Sequence, residues 1–509
     1  MIFSLFASRP KHPLGDPKEL KRVISALPVD NPFKAADEVY GWFESLRNAE
    51  GFHESALFDV VRQLDEAGVH HVRRLTRDYL HAARLSKSDE RRLWSMNFNY
   101  WGELASLYAQ CIEACTLSPK DKALEAVRQQ LPLAASRLVN ARACQQKWMF
   151  FRYGVVGEDL WRGLNQAYLQ ASNAGYALKT VHLYPGQTGQ TSAMLQYLQA
   201  LVLASSATDS LMPLEIELAD RLVAHLLPDF IFSDQCFADS VYWVDTAAGA
   251  PPARLARSPS QTRQSLRFFA PGDAHRKLAE LNHFVERGEV PKTLNLGGEY
   301  SAKIVLPVLR HLARYWAPVP PQRVHPRFPA KSRLAVLQGF DDCFTLFSGQ
   351  IARLGKERSA ESWVVENVSQ GGFRARVDVL GEALGIGALL GLQPEGGENW
   401  VLGVVRRFSK EQDGQATVGI EVLSKRAQSL ELWPRSAGFS ATGAIPGIFL
   451  RDGERDSKPA DEMRFVLPAG SFDVRTNLES VSADERLLLS PIELEEANGN
   501  FEVARYRRS

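Results

Sequence analysis

The segment Ala317-Pro318-Val319-Pro320-Pro321-Gln322 divides this 509-residue chain. Three prolines within four positions cannot continue a helix and favour an extended linker. On its N-terminal side, apolar residues recur mostly with a helical period. On its C-terminal side, short runs of β-branched and aromatic residues dominate. The sequence therefore predicts a multidomain α + β protein. At 45% hydrophobic content it can supply two to four domains with cores of their own.

Residues 30 to about 235 read as helices. Asn31-Pro32 is an N-cap followed by proline at the first helical position. Val39, Trp42, Phe43 and Leu46 then form an i, i+3, i+4, i+7 stripe, repeated by Leu57, Val60, Val61 and Leu64. Ser118-Pro119 predicts the start of a further helix. The stretch near 195–230 predicts two helices broken at SSATDS. Between 236 and 270, SVYWVDT and SLRFFAP are strand-like and predict a small hairpin. Helices resume at Leu278, Leu281 and Val285, and again at Val308, Leu309, Leu312 and Trp316.

After the prolines, RLAVLQGF, SWVVENV, GFRARVDV, WVLGVVRRF and ATVGIEVL read as short strands. Asp413-Gly414 between the last two is a hairpin signal. Strands at this spacing suggest a small antiparallel barrel. The tail beyond about 430 is also strand-like and either extends that barrel or forms a separate β module. The expected divisions are a helical domain over 1–235, a mixed hairpin and helix segment over 236–322, a β-barrel over 323–425 and a β-rich segment over 426–509.

Lys and Arg total 60 against 59 Asp and Glu. This balance argues against a general nucleic-acid or membrane-surface binder, so an anionic partner must be held by a local cluster. Cys111, Cys115, Cys144, Cys236 and Cys343 are odd in number and lack CxxC spacing, as expected of free thiols in a reducing compartment. The N-terminal stretch has no basic region ahead of a brief apolar run, and no apolar run reaches eighteen residues. The expected compartment is the cytoplasm.

No catalytic or metal constellation stands out. GQTGQTS at 186–192 lacks the Lys and the spacing of a phosphate loop and reads as a loop entering a helix. GFSATG at 438–443 is not a nucleophile elbow. His70-His71 has no ligand spacing, and Asp341-Asp342 and Glu495-Glu496 read as loop or helix-face charges. Trp42, Trp94, Trp101 and Trp148 read as core. The chain is expected not to be an enzyme and to need no cofactor or metal.

Two short patterns in the β half do carry chemistry. RVHPR places Arg323 and Arg327 four apart on a segment stiffened by Pro326 and Pro329. Arg offers planar, bidentate donors suited to phosphate and to the O6/N7 edge of guanine. NVSQGG places Asn367 and Ser369, which donate and accept, beside Gly371 and Gly372, which allow positive φ and close backbone approach. Together they suit an anionic, guanine-bearing ligand.

With GFRARV following, these patterns resemble the PilZ domain, a six-stranded antiparallel barrel of bacterial proteins that binds cyclic di-GMP through RxxxR and [D/N]xSxxG. The resemblance spans about 323–425. It implies that Arg323 and Arg327 grip the phosphates and guanine Hoogsteen edges, that Asn367 and Ser369 hydrogen-bond a guanine, and that Gly372 leaves room for the ligand. About forty residues separate Arg327 from Asn367, and SGQIARLGKERSAES looks like an insertion there. Gln322 stands where some members carry another Arg, which favours one nucleotide over a stacked pair. Lys331, Arg333, Arg374 and Arg376 read either as ligand contacts or as a solvated strand face. The N-terminal region looks like that of larger PilZ-containing proteins, and the expected function is a cyclic di-GMP receptor that reorients its domains toward a protein partner. The other reading is a scaffold whose degenerate barrel binds protein and no nucleotide.

Overall fold

The computed structural model describes residues 12–49, 52, 54–82, 85–255, 263–319, 325–349, 360–378, 384–411, 415–435, 443–451, 461–481 and 486–508. The chain forms two compact units, Met1–Pro321 and Gln322–Ser509.

The first unit holds helices α1 (Pro17–Ala26), α2 (Pro32–Arg47), α3 (Glu54–His81), α4 (Lys87–Leu117), α5 (Glu125–Gln129), α6 (Leu131–Phe151), α7 (Glu158–Asn173), α8 (Ala193–Ser205) and α9 (Pro213–Leu226). Strands β1 (Ile231–Ser233), β2 (Tyr242–Asp245), β3 (Ala253–Arg254) and β4 (Leu266–Ala270) follow, then α10 (Ala274–Val285) and α11 (Ala302–Tyr315). Helix α2 starts as its sequence dictates, with the Asn31 side chain accepting from the Lys34 amide at 3.0 Å. It buries Val39, Phe43 and Leu46, while Trp42 is half-buried. Ser118-Pro119 does not start a helix. Ser118 instead closes α4, and the next turn begins at Asp121, whose carboxylate accepts from the Ala123 amide at 2.9 Å. The break at SSATDS separates α8 from α9. The expected hairpin is a four-stranded sheet in the order β1-β4-β2-β3.

One apolar core runs from Leu14 to Trp316. Trp101 and Trp148 are inside it, and Trp94 donates its indole N–H to the Trp148 carbonyl at 2.8 Å. At its centre lies a charged group. Asp65 accepts from the Tyr108 hydroxyl at 2.7 Å and the Tyr184 hydroxyl at 3.1 Å, and Arg137 lies 3.3 Å away. Arg137 also donates to Glu66 at 2.8 Å and to the Leu183 carbonyl at 2.9 Å. Burial pushes the Asp65 carboxyl up to about 6, against the pull of Arg137 and the two hydroxyls.

The second unit begins with β5 (Phe328–Gln338), α12 (Phe340–Phe347), β6 (Glu361–Ser369), β7 (Gly372–Val377), β8 (Leu389–Pro394), β9 (Val401–Lys410) and β10 (Ala416–Ser424). These six strands close an antiparallel barrel in the order β10-β7-β6-β5-β8-β9. The Asp413-Gly414 turn and most of the expected insertion lie outside the described residues. The C-terminal segment is a second closed barrel. It comprises β11 (Ala427–Pro434), β12 (Ile445–Leu450), β13 (Glu462–Pro468), β14 (Leu478–Val481), β15 (Arg486–Ala497) and β16 (Phe501–Arg508), in the order β11-β12-β13-β16-β15-β14. The N-terminal helical region, the six-stranded barrel and the β-rich C-terminal part thus follow the expected fold class.

Helix α12 wedges between the barrels. Cys343 joins Leu389, Leu402 and Val404 of the first barrel and Ile448, Val466 and Val503 of the second in one core. Leu346 fills the space beside Gly391, where a Cβ would come within 2.6 Å of its Cδ2. The Ser429 hydroxyl donates to the Phe344 carbonyl at 2.6 Å. Arg406 bridges the same junction, holding Glu421 at 2.8 Å and Glu496 at 2.6 Å.

Candidate functional site

The segment around NVSQGG forms the β6–β7 hairpin. Ser369 pairs with Gly372 across a two-residue loop, and Asn367 pairs with Arg374 on β7 and with Pro329 on β5. Neither Gly371 nor Gly372 adopts a left-handed φ. Close approach is what Gly372 provides: a Cβ there would collide with the Ile420 carbonyl oxygen on β10. The Gly371 carbonyl accepts from the Val422 amide at 3.0 Å, so β10 fixes the turn from its other side. The Ser369 hydroxyl donates to the Gly372 carbonyl at 3.3 Å. No hydrogen bond to the half-buried side-chain carboxamide of Asn367 is present among the described residues.

The arginine segment runs beside this hairpin. Phe328 pairs with Val368 and Pro329 with Asn367, so antiparallel register brings the exposed Arg327 alongside Ser369. His325 lies over the turn, its Cδ2 3.4 Å from where a Gly371 Cβ would stand. Arg327, Asn367, Ser369 and Gly372 therefore gather at one end of β5, β6 and β7. Arg323 and Gln322 lie outside the described residues. Arg374 is ion-paired with Glu366 at 3.0 Å, and Arg376 with Asp378 at 3.7 Å. Arg333 points away from this end, donating to the Ser362 hydroxyl at 3.1 Å.

Two cavities lie elsewhere. One of about 530 Å³ is lined by the 186–191 loop with Gln196, Gln199 and Asn295, and no charged side chain lines it. Its loop enters α8 with Ser192 as N-cap, which satisfies the Leu195 amide at 3.2 Å. The other, of about 300 Å³, lies against β5, β6 and β8 and presents Glu361 and Glu395 beside Arg333. Neither offers the cationic lining an anionic ligand needs. Among the described residues no group of His, Cys, Asp and Glu could hold a metal ion, and no helix is long and apolar enough to cross a membrane. The Asp65–Arg137 cluster was not foreseen. Its members come from α3, α4, α6 and the segment before α8, and no local pattern joins them.

Two family models match the chain. One, described as the N-terminal domain of the cyclic-di-GMP receptor FimW, matches residues 18–235. The other, described as the middle PilZ domain of that receptor, matches residues 351–429. This is a PilZ-domain protein. No curated protein matches the chain. The PilZ match takes in β6, β7, β8, β9 and β10 and begins after β5 and α12. The NVSQGG turn of the PilZ barrel lies within it, and the arginine segment lies ahead of it.

Proposed function

We propose that the chain is a cyclic di-GMP receptor, bound through Arg323, Arg327, Asn367, Ser369 and Gly372. In this reading the two arginines take phosphate and guanine Hoogsteen edges, Asn367 and Ser369 hydrogen-bond a guanine, and Gly372, by letting β7 lie close against β10, holds the turn that carries them. The observation that carries it is the unpartnered Asn367 side-chain carboxamide next to Arg327 at the hairpin end. Donors and acceptors that protein groups leave open at such a place fit a base edge. The matches to FimW receptor domains support the same ligand.

The protein acts by binding rather than catalysis, in the cytoplasm and without a cofactor. Arg323 and Arg327 follow the prolines directly in the chain, so ordering them around a nucleotide restricts the linker. That reorients the domains and offers a surface of the helical region to a partner protein. The size of the switch is limited by the ligand's differential affinity for the two arrangements. Calorimetric titration of cyclic di-GMP into the full chain, with GTP as control, tests the binding. Protection of residues 316–327 from proteolysis by the nucleotide tests the relay.

The bond from Ser369 to the Gly372 carbonyl favours a second reading, in which the turn is merely capped and the barrel is a protein-binding scaffold. That reading predicts no heat of binding and no thermal shift at tens of micromolar nucleotide.

A further inference from the structure

The Asn367 position does not end at β7. It pairs with Arg374, Arg374 pairs with Gly419 on β10, and Gly419 pairs with Arg407 on β9. Residues paired directly across neighbouring strands share a face. Arg374 and Arg407 are exposed, while their neighbours Ala375 and Phe408 point into the core, so this face is the outside of the barrel. The row spans three strand spacings of about 4.8 Å each.

Its middle position has no side chain. The Arg407 stem takes that space: its Cβ, Cγ and Cδ lie 3.1, 3.7 and 3.8 Å from where a Gly419 Cβ would be. The Arg407 stem therefore packs over Gly419 on β10. On the other flank Glu366 holds the Arg374 guanidinium at 3.0 Å, beside Asn367. A guanidinium has five donors in a plane, so one ion pair leaves Arg374 donors to spare, and a planar cation stacks on aromatic faces.

We propose that Arg374 and Arg407 are further ligand residues of the nucleotide site. The inference rests on the cyclic di-GMP reading. Asn367 and Ser369 read one guanine. The second guanine lies over Gly419, stacked on the Arg407 guanidinium, with Arg374 donating to its O6/N7 edge. A ligand with two linked bases suits a polar row that continues past the first.

The test is calorimetric titration of cyclic di-GMP into the full chain and into Arg327→Ala, Arg374→Ala, Arg407→Ala, Arg407→Lys and Gly419→Ser. The expected result is a tenfold or greater loss for Arg407→Ala. Arg407→Lys should lose nearly as much, because it keeps the charge and loses the plane. Gly419→Ser should lose affinity while both arginines remain, by lifting the Arg407 stem. Unchanged melting temperatures for the arginine variants exclude misfolding. Wild-type affinity in Arg374→Ala and Arg407→Ala, with binding abolished in Arg327→Ala, overturns this inference and leaves the receptor reading standing. Full rescue by Arg407→Lys overturns the stacking. No binding to the unaltered chain overturns both.

Discussion

At Gly372 a sequence signal and its physical cause part company. The glycine of NVSQGG was expected to make room for a ligand, but the group that excludes a side chain is the β10 backbone at Ile420. Gly372→Ala should therefore destabilise the barrel by about 1–3 kcal/mol even without nucleotide, read as a lower melting temperature. Arg327→Ala should behave oppositely. The residue is exposed, so stability should hold, while cyclic di-GMP affinity falls ten- to over a hundredfold, as expected for loss of a charged hydrogen bond of roughly 1.5–3 kcal/mol. Near-normal titration of that variant would sink the site. The gathering of Arg327, Asn367 and Ser369 was legible because each lies in a short pattern with its own chemistry. The Arg374–Gly419–Arg407 row was not, since it exists only once three strands are in register.

Among the elements, the strands after the prolines were legible because β-branched and aromatic runs alternate with turn residues. Helix α12 was not. FDDCFTLF has only eight residues, too few for a clear helical period, and its aromatic content reads equally as strand. It becomes a helix because Gly339, at φ 98°, turns the chain out of β5 and because both barrels offer it an apolar seat. Leu346→Ala should cost about 2–4 kcal/mol, since the side chain is 4% exposed and fills the place beside Gly391. The denaturation midpoint of the second unit would report it. A loss confined to the second barrel's strands would contradict a wedge shared by both. Ser118-Pro119 failed differently. It has the residue types of a helix start, yet it follows the last turn of α4 directly, and Asp121 caps the next turn instead.

For the molecule as a whole, the division into helical and β parts could be read from composition on either side of the prolines, but the charged centre of the helical unit could not. That centre sets a pH dependence. The folded Asp65 carboxyl sits at about 6, above its ordinary value, so the folded state holds this proton more tightly than the unfolded chain does. The stability from this group is complete below the ordinary carboxyl range and is lost as pH rises through about 6. The melting temperature of the unaltered protein, taken relative to Asp65→Asn, should therefore fall between pH 4 and pH 6.5. A flat difference across that range would contradict it.

The shared core around Cys343 has a consequence for how a ligand would be felt. Two barrels that bury the same residues open together, and binding to the folded form slows opening for everything that must open with it. A nucleotide held on the first barrel at a hundredfold excess over its Kd would add about 2.7 kcal/mol to the cost of exposing the amides of β13 and β16, strands it never touches. Hydrogen exchange in the second barrel would then report occupancy of the first.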